Sequence, residues 1–175
     1  MNTPQVRYTT AADGAKIAYY ERGTGPVVLF ELSVYVSNLA TEIAFKGGPT
    51  VLDAIADSAR LVRFDHRGGG MSQRGVEDYS LGAYVSDLAA VTAAAGAEPA
   101  VLFAWQCAGQ QAIAFCGQPS RPVQRLILWD PTAPKPSDDP GWRRVNAIMP
   151  LVDVDWETFS EASVYREAYW QNTKL

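Results

Sequence analysis

The sequence predicts an α/β protein built on a mostly parallel sheet with helices on both faces. Three observations predict it. Short apolar runs bounded by turn residues alternate with segments of helical periodicity. The later runs are continuous in leucine and β-branched residues, as strands covered on both faces are. The length of 175 residues, with 47% hydrophobic and 19% charged, suits one domain with a sizeable core and is short for two.

Strands are expected near Val6–Thr9 and Ile17–Glu21, on either side of Asp13-Gly14, a strong hairpin signal. Further strands are expected near Val27–Leu32, Leu61–Phe64, Ala100–Trp105 and Val123–Trp129. Helical patterns fall near Val51–Asp57, Leu81–Ala95, Cys107–Gly117, Trp142–Met149 and Trp156–Trp170. After Asp130 the composition shifts, with Pro131, Pro134, Pro136 and Pro140 close together, which marks a loop. The organisation expected is a core over residues 1–131, then a linker and cap-like helical segment over 132–175. In that last segment Asp155 suits an N-cap. Trp156 and Phe159 recur at helical spacing with Tyr165, Tyr169 and Trp170, either as a packing face or as an aromatic lid.

Composition narrows the partners. A net charge of −4 gives no reason to expect nucleic acid or an anionic membrane. No apolar run reaches transmembrane length, and the first residues lack the basic and apolar regions of a signal peptide, so a cytoplasmic location is expected. Cys107 and Cys116 read as reduced thiols, and with the one histidine they offer no zinc spacing. Neither a metal nor a cofactor is expected.

The stretch VLFAWQCAGQQAIAF, Val101–Phe115, runs from a strand into a helix through a tight turn of small residues. This is the shape of a nucleophile elbow, whose strained backbone needs small residues two before and two after the nucleophile. Beside it stand GPVVLFELS (Gly25–Ser33), RLVRFDHRGGGMS (Arg60–Ser72) and DYSLGAYVSDLAAVTAAAG (Asp78–Gly96). In this order they resemble the α/β-hydrolase fold. Its Asp-x-Arg-Gly-x-Gly-x-Ser turn is matched in full by Asp65, Arg67, Gly68, Gly70 and Ser72. IAYYERGTGP and VSNLATEIAF resemble bacterial hydrolase-like domains found beside adenylate cyclase or transcription-regulator modules. Taken alone, Gly68-Gly69-Gly70 is either a structural tight turn or a phosphate loop, but it lacks the Gly-Lys-Ser/Thr ending of the latter.

The resemblance implies a site that this sequence fills poorly. Gapless alignment puts Ala104, Gln106 and Ala108 where the family has Gly, Ser and Gly, and an amide is no nucleophile. A frame shifted by one makes Cys107 the nucleophile, with bulky Trp105 at the small-residue position. Its competing reading is a buried helix residue facing the sixth strand.

Glu31, Leu32 and Ser33 stand at the oxyanion segment. Glu31 either faces solvent or a hydrogen-bond partner, or points inward, where a carboxylate would repel a developing oxyanion. The one histidine, His66, occupies the variable position of the Asp-x-Arg turn, and the resemblance implies an acid after strand seven and a histidine after strand eight. Asp130, ending the sixth strand, is either an acid with nothing to orient or a turn residue before Pro131.

Three functions are consistent with these residues. The first is a degenerate, non-catalytic hydrolase-like domain that binds a small apolar ligand or serves as a scaffold. The second is an ester hydrolase using Cys107. The third is a piece of a longer hydrolase-like protein, truncated after strand six and cap-like helices. The sixth strand's apolar edge is a pairing template, so a homo-oligomer through it is expected unless the chain's own tail covers it.

Overall fold

The computed structural model describes residues 3–31, 37–45, 47–48, 50–96, 100–119, 123–132, 147, 150, 154–155 and 157–158. The chain divides into two compact units, Met1–Ala133 and Pro134–Leu175.

The first unit runs β1 (Arg7–Thr10), β2 (Lys16–Arg22), β3 (Val27–Glu31), α1 (Leu39–Ala44), α2 (Val51–Ser58), β4 (Arg60–Phe64), α3 (Leu81–Ala94), β5 (Ala100–Trp105), α4 (Ala108–Cys116) and β6 (Val123–Trp129). The six strands form one sheet in the order β1-β2-β4-β3-β5-β6. β1 pairs antiparallel with β2, and β2 antiparallel with β4. β4, β3, β5 and β6 are parallel neighbours. Every expected strand forms, within about one residue of its expected ends. α1 was not anticipated, because six residues show too little periodicity to stand out.

Alternation along the strands sorts the core into two layers. Leu29, Val62, Leu102 and Ala104 pack with Val85, Leu88 and Val91 of α3 and with Ala108, Ala112 and Phe115 of α4. Phe30 and Leu61 face the other way, onto Leu52 and Ala56 of α2. α2 begins with a capping box: Asp53 N–H donates to Thr50 Oγ1 (3.3 Å) and Thr50 N–H donates to Asp53 Oδ2 (2.6 Å). Such a cap contributes about 1 kcal/mol. A hydrogen bond from Arg22, and then those from Thr50, hold the Asp53 carboxyl down at about 2.

The Asp65–Ser72 turn is a structural knot, which favours the tight-turn reading of its glycines. Asp65 carboxylate oxygens accept from Ser37 Oγ (3.0 Å), Leu39 N–H (3.0 Å) and Met71 N–H (2.8 Å). Ser72 Oγ donates to Asp65 O (2.6 Å) and accepts from Ala18 N–H (2.9 Å). Arg67 spans Asp87 of α3 through Nε–Oδ2 (2.8 Å) and Nη2–Oδ1 (2.7 Å), and also reaches Asp13 (2.6 Å) in the β1–β2 turn.

At the far side β6 is the edge strand among the described residues, and Ile127, Leu128 and Trp129 are exposed. In the second unit, Thr158 N–H donates to Asp155 Oδ1 (3.0 Å), so Asp155 caps its helical turn as expected. Trp156, Phe159 and nearly all of the two expected cap helices lie outside the described residues.

Candidate active site

The carboxyl ends of parallel strands in an open α/β sheet are where ligands bind. Here that edge collects Glu31, the last residue of β3; His66, two residues past β4; Gln106, next after β5; and Asp130, next after β6. Among the described residues, Gln106 (φ 54°) and Asp130 (φ 49°) are the non-glycine residues with positive φ. Each such conformation costs on the order of 1–3 kcal/mol and persists only where its surroundings enforce it.

The two strained turns hold each other. Gln106 N–H donates to Trp129 O (3.0 Å), and Thr132 N–H donates to Gln106 O (3.2 Å). Gln110 Nε2 adds a bond to Thr132 O (3.1 Å). Close packing explains the small residue at 109, since a Cβ there would sit 3.3 Å from Pro131 Cβ.

Cys107 is half-buried at the N-cap position of α4, not a buried residue within the helix as one reading had it. Cys116 is not bridged to it, and burial pushes the Cys116 thiol up. Asp130 is exposed. Trp105 is half-buried, with its ring 5.9 Å from that of Trp129; Phe103 also lies 5.9 Å from Trp129 and meets Phe30 edge-on at 4.5 Å. Leu32 and Ser33 lie outside the described residues.

Glu31 neither faces solvent nor makes a hydrogen bond. It is 0% exposed, and both carboxyl oxygens lack a hydrogen-bond partner. Alternation places it on the Leu29 side of the sheet, opposite Ala104 of β5. Burial pushes its carboxyl well above the usual carboxylate range, and the nearby Asp87 charge adds to this while Arg63 opposes it. The shift favours the protonated form more than in an exposed glutamate, which weakens the repulsion expected of a buried carboxylate. His66 Nε2 lies 3.9 Å from Glu31 Oε1, with its ring edge-on to Phe64 (4.9 Å) and Tyr84 (5.6 Å).

Sequence reasoning located both residues and did not join them. The available signal was a carboxylate closing the apolar run Val27–Glu31, beside the only histidine.

On the opposite face Arg63 is fully buried. It donates to Phe30 O (2.6 Å) and through Nε (3.1 Å) and Nη2 (2.8 Å) to Glu42 Oε2 of α1. Tyr20 donates to the other Glu42 oxygen, and burial pushes its phenol up. Among the described residues, no group of three or more His, Cys, Asp or Glu is arranged to hold a metal ion, and no helix is long and apolar enough to cross a membrane.

A crossover sheet whose strained turns and buried polar groups meet at the carboxyl edge defines a class of α/β proteins with sites on that edge. A family model described as "alpha/beta hydrolase fold" matches residues 43–158, and the chain belongs to that family. Solved structures agree on the fold. An esterase from Exiguobacterium antarcticum superposes with a TM-score of 0.72 at 20% identity, covering 89% of this chain and 58% of that one. An esterase from Thermogutta terrifontis gives 0.71 at 22%, covering 96% and 62%. A hydrolase from Pseudomonas aeruginosa gives 0.68 at 19%, covering 88% and 55%. The chain thus spans little more than half the length of these neighbours. No curated protein matches it.

Proposed function

We propose that this chain is a hydrolase-like domain with a degraded site, which binds a small apolar ligand or serves as a scaffold without turning over esters. The observation that carries the reading is Gln106. It holds the strained position between β5 and α4, where a hydrolase of this fold presents its nucleophile, and it brings an amide that cannot attack a carbonyl. The aromatic rings of Phe103, Trp105 and Trp129 near the same edge suit an apolar ligand. Kinship with the hydrolase-like domains of bacterial regulatory proteins, for which IAYYERGTGP and VSNLATEIAF speak, belongs to the same proposal, as does a cytoplasmic setting.

The position of Cys107 favours a second reading. Cys107, at the N-cap position of α4, is the described side chain next to the β5–α4 turn that has nucleophilic chemistry. A piece of a longer hydrolase-like protein would also show the coverage seen here, and Gln106 argues against serine hydrolysis in that case too.

A short-chain aryl ester assay of the wild type and Cys107→Ser, paired with alkylation of Cys107 across pH, decides between these readings. We expect hydrolysis at background, below even the residual acceleration of about 10³–10⁴ that an intact oxyanion hole leaves after loss of a triad. Turnover that Cys107→Ser abolishes, together with rapid alkylation near neutrality, would establish the cysteine enzyme instead.

The exposed apolar edge of β6 supports a homo-oligomer in which a second copy covers Ile127–Trp129. Sedimentation should then show a dimer that Ile127→Lys dissociates. A wild-type monomer at all concentrations would sink this part of the proposal.

A further inference from the structure

We propose that the β5–α4 turn and the exit from β6 form one two-state lock, through which the chain leaving β6 sets the conformation of Gln106. This inference stands apart from the ligand-binding reading, and its test needs no ligand. Its basis is geometric. The parallel ladder of β5 and β6 ends at the pair Trp105 and Trp129. The next residue of each strand, Gln106 (φ 54°) and Asp130 (φ 49°), turns left-handed.

Three hydrogen bonds join the two turns. Gln106 N–H donates to Trp129 O (3.0 Å), and Thr132 N–H donates to Gln106 O (3.2 Å). From the first turn of α4, Gln110 Nε2 donates to Thr132 O (3.1 Å). Gln106 O also accepts from Gly109 N–H (3.0 Å), so the same carbonyl closes the start of α4. Packing completes the contact, since a Cβ on Gly109 would lie 3.3 Å from Pro131 Cβ and 3.5 Å from Leu128 Cδ2.

Strain and hydrogen bonds oppose each other here, and the two are of the same order. A left-handed glutamine relaxes once nothing holds it, and relaxation turns its N–H and C=O away from Trp129 and Thr132. The bonds that one turn loses are the bonds that brace the other, so the turns open and close together. An element whose two states differ by a small net preference is one that a local event can tip. The chain runs on from Thr132 towards a second unit that begins at Pro134. A displacement of that chain bears on Thr132 and, through it, on Gln106 at the carboxyl edge of the sheet.

Amide hydrogen exchange of the full chain, followed residue by residue, tests the lock at Gln106 and Thr132. In the wild type both amides should exchange through one opening, with equal opening constants. Gln110→Ala removes one bond and should raise both constants by about two- to fivefold, as a hydrogen bond of modest net strength does. Glycine at either left-handed position relieves strain there. Asp130→Gly should therefore lower the opening constant at Gln106, and Gln106→Gly the one at Thr132, each by at least about fivefold. Each effect is read at the residue not replaced, and it runs against the loosening that a glycine otherwise brings to a loop. Clearly unequal opening constants in the wild type overturn the proposal. So does a Gln110→Ala protein in which both are unchanged, or an Asp130→Gly protein in which Gln106 exchanges as fast or faster. Asp130 is exposed, so this last variant decides even if Gln106→Gly fails to fold.

Discussion

Arg67→Ala should cost about 3–5 kcal/mol of stability, because it leaves a buried carboxylate without its partner. Both side chains of the Arg67–Asp87 pair are almost fully enclosed, at 1% and 0% exposed. Burial pushes the Asp87 carboxyl up, while the Asp87 hydrogen bond pushes Arg67 up further. The two-pronged contact settles the balance in favour of an ionised pair, since each guanidinium nitrogen meets its own carboxylate oxygen.

The loss should spread beyond α3, because the same guanidinium binds Asp13 and Asp78 O and so clips the β1–β2 turn to the segment before α3. Its hydrogen bond to Asp13 holds that carboxyl down. That part of the contribution is present above the ordinary carboxylate range and is lost as pH falls through the Asp13 value. Arg67→Lys should recover only part of the loss, because an ammonium cannot make the paired contact. Urea denaturation of the three proteins measures this. A loss below about 1 kcal/mol for Arg67→Ala would mean that the pair contributes no more than a surface ion pair does.

Gly70→Ala is the second large effect, expected at about 3 kcal/mol from a strained backbone and broken hydrogen bonds together. Gly70 has φ 48°, and a Cβ built on it would lie 2.0 Å from Asp65 Oδ2 and 2.3 Å from its Cγ. That carboxylate cannot simply turn away, because it anchors Ser37, Leu39 and Met71, and through Leu39 the start of α1. The strain and the clash are separable. Gly14 has φ 94° with open space around it, so Gly14→Ala should show the backbone strain alone. If thermal melts show equal losses for the two variants, the Asp65 contact contributes nothing and the account of the knot fails.

Much of this architecture was legible before any coordinates. The apolar runs at Val27–Leu32, Leu61–Phe64 and Ala100–Trp105 announced buried parallel strands, and Asp13-Gly14 announced the hairpin. Periodicity and turn chemistry are local properties, so they survive in a one-dimensional record. The Asp65–Ser72 turn could be recognised for the same reason, as could the tight turn between β5 and α4 that holds Gln106. α1 escaped because Leu39–Ala44 is too short to show a period, and what holds it is distant: Asp65 accepting from Leu39, and Arg63 and Tyr20 reaching Glu42.

The sequence by itself determined the α/β layout, the hydrolase-like order of segments and the turn of small residues that joins β5 to α4. Only the tertiary structure decided what Glu31 is. Read along the chain it was a carboxylate that repels an oxyanion or a side chain turned to solvent. Folded, it is enclosed between β4 and β5, stripped of hydrogen bonds and set beside His66, thirty-five positions away by subtraction of their numbers. The crossover that puts β3 between β4 and β5 makes that neighbourhood. Because the cost of a buried charge depends on every group around it, no local stretch of sequence could have fixed which protons the site holds.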